Sequence, residues 1–265
     1  MGDRTGAAIE TLEYVARSPT RVRILETLAA EGAVSKDALR AEVDVVRTTL
    51  QRNLDGLGER GLLRERGRRY ELTSAGALAT GAVTETLDRV DAMVRLRPVL
   101  ERIPAIELDF DLEGLVDATV VESTTANPYA PTEYRAASLS DAEYVRAMLP
   151  ATAAKPLETS REALESGAVF ELLVTESVAE TLRTEPPVAD TFAAMADAES
   201  LSVAVVANEV PFYLGIVDDA VQIGVHDENG LPTALLESTE TRVREWAIDR
   251  FDALERHATA MDSLE

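Results

Sequence analysis

Residues 44–70 read DVVRTTLQRNLDGLGERGLLRERGRRY, from Asp44 to Tyr70, and this stretch decides how the first part of the chain is read. Val46, Leu50, Leu54 and Leu57 recur at steps of four, four and three, which gives a helix one apolar face. Asp44 is placed to cap its start. Gly61 is placed to end it in the left-handed conformation that glycine adopts without steric penalty. Beyond Gly61 the chain is strand-like in short pieces: Leu62 to Glu65, a tight basic turn at Arg66-Gly67-Arg68-Arg69, then Tyr70 to Leu72. Away from the leucines the helix carries Arg47, Thr48, Gln51, Arg52 and Asp55. Arginine reads guanine, glutamine reads adenine, and threonine touches a thymine methyl or a phosphate. Arg66, Arg68 and Arg69 at the hairpin tip suit phosphate or the minor groove, adding affinity more than sequence choice. The plain alternatives are a solvated helix face and a turn kept soluble by charge, and Asp55 suits an arginine partner better than a base. A helix with this outer face followed by an arginine-tipped hairpin is what a winged helix-turn-helix presents to double-stranded DNA.

The residues before and after agree with that order. Ala7 to Arg17 predicts a first helix, with Ile9, Leu12 and Val15 at spacing three. Ser18-Pro19 opens a second that runs to about Ala30, buries Val22, Leu25 and Leu28 or their neighbours, and stops at Gly32. Ser35 caps a short third helix, Lys36 to Val43. After the hairpin, Thr73 or Ser74 caps a new helix. From Ala77 to Arg97 the narrow stripe Val83, Leu87, Val90 and Val94 suits pairing with a second copy of the chain or packing on its own second domain, and Pro98 and Pro104 are expected to end regular helix.

Composition narrows the function. The formal net charge is -22, yet residues 1–80 hold 13 Lys+Arg against 12 Asp+Glu, while residues 81–265 hold 13 against 36. The acidic excess therefore lies in the second part, and the first is free to meet a polyanion. Lys36 and Lys155 are the lysines; every other basic side chain apart from the two histidines is arginine. A carboxylate-rich surface of this kind suits a protein working in concentrated salt, the other reading being an acidic protein from a GC-rich genome. High salt weakens phosphate contacts, so groove contacts and shape would carry more of the binding. The absence of cysteine excludes disulfides and thiolate sites. With two histidines, no metal site is expected, and no cofactor. No run approaches the length of a membrane span and no signal-peptide layout opens the chain, so a cytoplasmic protein is expected, with no membrane partner.

The second part alternates strands and helices. Ala118 to Glu122 is strand-like and STTANPYAPTEY turn-rich. Helices are expected at Ser140 to Leu149, Ser160 to Glu165, Ser177 to Arg183 and Asp190 to Ala196. VFELLV (Val169 to Val174) and LSVAVV (Leu201 to Val206) read as central strands covered on both faces. Phe212 to Val217, Val221 to Val225 and Thr233 to Leu236 come next, across turns at Asp218-Asp219 and Glu228-Asn229-Gly230, and a closing helix runs from about Glu240 to Met261. No glycine-rich phosphate loop, GxSxG or HExxH motif is present, so no catalytic residues are assigned. Polar residues at the ends of central strands are the candidate ligand contacts: Glu122, Ser123, Thr124, Thr175, Glu176, Ser177, Asn208 and Tyr213. Each also suits a cap or a turn.

The segment from Ser18 to Gly76 resembles the DNA-binding domain of archaeal winged-helix transcriptional regulators of the ArsR-like and TrmB-like kind. The whole chain resembles haloarchaeal members related to the methanogenesis and filament-formation regulatory proteins. PFYLGIVDDAVQIGV resembles the strand-turn-strand of phospholipase-D-like domains, but Pro211 and Tyr213 stand where that superfamily's active members place histidine and lysine, which implies an inactive relative. The expected fold class is an α+β N-terminal winged helix-turn-helix (residues 1–76), a linker or dimerisation helix and hinge (77–104), and a C-terminal α/β domain (105–265). The expected function is a homodimeric, DNA-binding transcriptional regulator whose C-terminal domain senses a small-molecule effector. The alternative is an architectural DNA-binding protein with an acidic assembly domain and no ligand.

Overall fold

The computed structural model describes residues 2–104, 107–110, 112–207, 210–228 and 230–261. The chain divides into two compact units at Asp91/Ala92. In the first, α1 (Gly2–Ala16), α2 (Pro19–Glu31), β1 (Val34–Ser35), α3 (Lys36–Val43) and α4 (Arg47–Glu59) precede a hairpin of β2 (Leu63–Arg66) and β3 (Arg69–Leu72). Strand β3 lies between β1 and β2, with Tyr70 opposite both Val34 and Glu65. Ser35 caps α3, its hydroxyl accepting from the Ala38 N–H at 3.3 Å. Gly61 (φ 68°) donates to the Gly58 carbonyl at 2.8 Å, and Leu62 donates to the Leu57 carbonyl at 3.0 Å. That pair of bonds satisfies the last carbonyls of α4 and turns the chain directly into β2. Leu50, Leu54 and Leu57 then meet Ile24, Leu25, Leu28 and Leu39 in one core.

Several expectations about this unit are corrected. Asp44 is not the cap of α4; it holds a left-handed conformation (φ 44°) at the end of α3 and makes the turn between the two helices. Val46 is not on the apolar face: it is the extended residue before the first turn of α4 and is 69% exposed. On α1 only Val15 of the expected stripe is buried, whereas Ile9 and Leu12 are exposed.

Helix α5 (Ser74–Leu100) begins at Thr73, whose hydroxyl accepts from the Gly76 N–H at 2.9 Å. Its early residues Val83 and Leu87 pack in the first unit's core, while Ala92, Leu96 and Val99 enter the second's. Val90 and Val94 of the expected stripe, with Met93, are exposed. Pro98 does not end the helix, which runs two residues past it to Leu100 at the cost of the one backbone bond that its missing N–H would make.

The second unit is a mixed sheet ordered β11-β7-β6-β5-β8-β9-β10-β4. Its strands are β4 (Thr119–Glu122), β5 (Tyr144–Leu149), β6 (Val169–Thr175), β7 (Leu201–Val206), β8 (Tyr213–Val217), β9 (Ala220–His226), β10 (Pro232–Ser238) and β11 (Thr259–Ala260). Strands β5, β6 and β7 are parallel; β8 joins β5 antiparallel and starts the hairpin half. Helices α6 (Ala130–Leu139), α7 (Ala154–Glu165), α8 (Glu176–Thr184) and α9 (Val188–Met195) cover one face, packing on Val145, Ala147 and Leu149 of β5. The end of α5 and α10 (Thr241–Glu255) cover the other, against Met148, Leu173 and Leu214. The helix expected at Ser140 to Leu149 is corrected to strand β5. Its side chains alternate between the two buried faces, and the preceding helix starts earlier, in the APTEY run that reads as turn. The closing helix also ends earlier, at Glu255, and β11 pairs with β7.

Arg146 ties α10 to the sheet. It lies 2.9 Å from Glu171, 2.7 Å from Asp252 and 3.4 Å from Glu255, and its guanidinium stands 4.2 Å from the Phe251 ring centroid. No described helix is long and apolar enough to cross a membrane.

Candidate functional sites

In the first unit, Arg47, Thr48 and Arg52 are exposed along α4, and Arg66, Arg68 and Arg69 are exposed on the hairpin. The fold brings together what the sequence places some fifteen residues apart, because the Gly58–Gly61 turn sets β2 immediately against the end of α4. Among the described residues, Arg47, Arg52, Arg68 and Arg69 have no carboxylate within ion-pair distance. Arg66 stands 4.0 Å from Glu71, which Arg64 already holds at 2.7 Å. Gln51 is half-buried and engaged: its oxygen accepts from Lys36, and its amide donates to Asp55 at 2.6 Å. Reading a base with Gln51 therefore requires exchanging these bonds. Tyr70 lies buried beneath, its phenol pushed up by burial and by Glu65 and Asp55, and so stays neutral.

Other arginines of this unit are structural. Arg21 and Arg60 stand 3.7 and 3.5 Å from the Tyr14 ring centroid, and Arg21 Nε donates to buried Asn53 at 3.2 Å. The Tyr14 hydroxyl occupies the place where a Cβ on Gly56 would sit, 1.9 Å away, so glycine in mid-α4 admits α1. The basic content of the first 80 residues is thus divided between an internal clamp and an outward face.

The expected ligand contacts of the second unit are not gathered into one place. Thr175 caps α8 and contacts the Ser177 hydroxyl at 3.0 Å, and Glu176 begins the same helix. Ser123 donates its N–H to the Thr233 carbonyl, Thr124 closes a turn on Asn127, and Glu122 is exposed at the sheet edge. Asn208 lies outside the described residues. Tyr213 lines a cavity of about 210 Å³ at the carboxyl end of β5, where the parallel half of the sheet meets the antiparallel half.

Tyr213 is seated by two glycines. A Cβ at Gly215 would lie 2.1 Å from its hydroxyl and one at Gly224 would lie 3.1 Å from its ring, so the ring lies flat over β8 and β9. Its hydroxyl donates to the fully buried Gln222 at 3.3 Å. Gln222 in turn donates to Ser138 and to Glu237, both at 2.7 Å, and Tyr134 donates to Glu237 at 2.7 Å. Burial pushes the Tyr213 phenol up despite the nearby Arg135 cation. Burial, aided by Arg135, pushes His226 down, which keeps it neutral. Arg135, His226 and Thr132 also line this cavity and were missed in the sequence. The available signal was Pro131, a residue favoured in a first helical turn, which puts Arg135 one turn further on.

Residues 128–257 match the family described as "Methanogenesis regulatory protein FilR1, middle domain", and residues 9–95 match the family described as "HVO_A0261 N-terminal domain". The two matched segments do not overlap, and each covers less than half of the chain. No curated protein matches the sequence. Similar solved structures include TrmBL2, described as an archaeal chromatin protein with a novel mode of DNA binding, at 16% identity over 89% of this chain and 92% of that one, TM-score 0.44. NucT from Helicobacter pylori is 13% identical over 54% of this chain and 98% of that one, TM-score 0.42. Both are distant likenesses.

Proposed function

We propose that this chain, whose residues 128–257 match a regulatory-protein middle domain, is a transcriptional regulator that binds double-stranded DNA through a winged helix-turn-helix. The observation that carries the reading is the outward face of α4 and the hairpin. Four arginines without acidic partners among the described residues stand there, in a protein whose net charge is -22. An acid-rich chain leaves arginines unpaired on one face where a polyanion supplies the partner. In this reading Arg47, Thr48 and Arg52 enter the major groove, with Gln51 once released, and Arg66, Arg68 and Arg69 meet the backbone. The protein acts as a homodimer, with the exposed Val90, Met93 and Val94 of α5 offering an apolar seam. The C-terminal domain senses a small molecule, which shifts the population between states with different spacing of the two recognition helices.

The test is fluorescence-anisotropy binding in molar KCl to the DNA upstream of the protein's own gene, against a scrambled duplex. Preference for the upstream DNA supports a regulator. Equal binding to both favours an architectural DNA binder, and Arg52→Ala with unchanged affinity and preference removes α4 from the interface.

A further inference from the structure

We infer that the cavity over Tyr213 is a binding site for a small organic monoanion, a carboxylate with an apolar body, held by Arg135. The inference deepens the regulatory reading by giving the effector a chemical class and a place. Its first support is the wall. Asp and Glu make up 48 of 265 residues, so 17 lining residues taken at random would include about three carboxylates; among the described residues this lining has none. The contrast is the surface recess around Arg146, where Glu171, Asp249, Asp252 and Glu255 supply most of the lining. Most of the remaining wall is apolar, from Pro131, Pro156, Val225, Leu231, Ala234 and Leu235.

The second support is Arg135 itself. Its guanidinium stacks 4.1 Å from the Tyr213 ring centroid, and its Nε is buried without an acceptor. The Nε atoms of Arg244 and Arg250 are also buried without a hydrogen-bond acceptor, and that of Arg146 has Glu171 at 2.9 Å, but all three residues have other partners. Arg146 and Arg250 hold carboxylates, and Arg244 donates to the Asp218 carbonyl. Among the described residues Arg135 has no carboxylate in reach. Its site is nevertheless built to be rigid, since Tyr213 beneath it is fixed by Gln222 and seated on two glycines. A planar guanidinium stacked on a fixed ring, with its Nε unmatched among the described residues and on a mostly apolar wall, suits a carboxylate bound in two-point fashion. The neutral His226 on the same wall adds a ring nitrogen able to donate. The carboxylates next to this wall are engaged elsewhere: Asp227 accepts from the Leu231 N–H, and Glu237 holds Tyr134 and Gln222.

Size limits the ligand. About 210 Å³ is the share of roughly seven waters, which suits a monocarboxylate of about ten non-hydrogen atoms. The position agrees, since mixed sheets offer ligand crevices at the carboxyl ends of strands where the topology changes direction.

The test is fluorine NMR of para-fluorobenzoate with the full chain, without DNA. Line broadening at about millimolar probe is expected for the wild type, and none for the neutral isostere para-fluorobenzamide. Arg135→Met, which keeps the stem and removes the charge, is expected to weaken binding about tenfold or more. Ala151→Phe, which fills the cavity and leaves Arg135 in place, is expected to do the same. Near-ultraviolet circular dichroism of Trp246, which packs against the opposite face of the sheet, confirms that each variant is folded. The inference is overturned if the wild type leaves fluorobenzoate sharp, if fluorobenzamide broadens equally, or if either variant binds as the wild type does. Because no DNA is present, a chain that binds the anion and not DNA keeps this site and loses the regulatory reading. A chain that binds DNA and not the anion does the reverse.

Discussion

Replacing Arg68 and Arg69 together with alanine isolates the hairpin's contribution to DNA binding. Both side chains are exposed and, among the described residues, neither touches a carboxylate, so the substitution removes no ion pair seen there. Each arginine that neutralises a phosphate releases condensed counterions and adds about 0.9 to the slope of log K against log salt. Two arginines on each of two protomers therefore account for a slope of about 3.6. Across a fivefold rise in KCl the wild type should lose about 300-fold more affinity than the double variant. Sequence preference should stay unchanged, because the hairpin meets backbone and α4 meets bases. The assay is anisotropy against KCl concentration for both proteins, on upstream and scrambled duplexes. Stability should move by less than about 0.5 kcal/mol, since no capped or buried group is altered. An unchanged salt slope with normal thermal melting would refute the assignment of these arginines to phosphate.

Three other expectations rest on packing and ionisation. A Cβ on Gly76 would lie 1.7 Å from the Leu62 carbonyl oxygen, which is backbone and cannot swing away; Gly76→Ala should destabilise the first unit by about 2 kcal/mol despite better helix propensity, read by denaturant melting, and an unchanged midpoint would contradict the close approach. Gln222→Leu leaves the Tyr213 hydroxyl and Ser138 without their partner in a buried setting, so unfolding should ease by about 3 kcal/mol, with the greatest loss of amide protection on β8 and β9. Tyr134 is pushed up to about 12 by burial and by its bond to Glu237. Its neutral form is favoured in the folded state, so the associated stability is present below about pH 10 and is lost as pH rises toward 12. Absorbance titration of the phenolates should show a late step that moves down in Glu237→Gln; an unshifted step would mean the hydrogen bond is not made in solution.

The local parts of this protein were set by its sequence. The leucine spacing in α4, Gly61 and Gly32 as stops, Ser35 as a cap and the arginine-tipped turn each act within a few residues, so chain order alone determined the helices and hairpin of the first unit. Central strands such as VFELLV and LSVAVV were legible because a strand covered on both faces is mostly apolar, with Glu171 and Ser202 as the exceptions. Only tertiary structure decided which apolar side chains are covered. Val15 is buried while Ile9 and Leu12 are exposed at the same spacing, because coverage depends on which neighbour arrives. The same holds for YVRAML: its alternation carries an arginine whose partners, Asp252 and Glu255, come from α10 about a hundred residues later, and without them the run reads as helix. The cavity was beyond the sequence for the same reason. Arg135 on α6, Tyr213 on β8 and His226 on β9 meet only because the sheet changes from parallel to antiparallel beside β5, and no spacing along the chain encodes that adjacency.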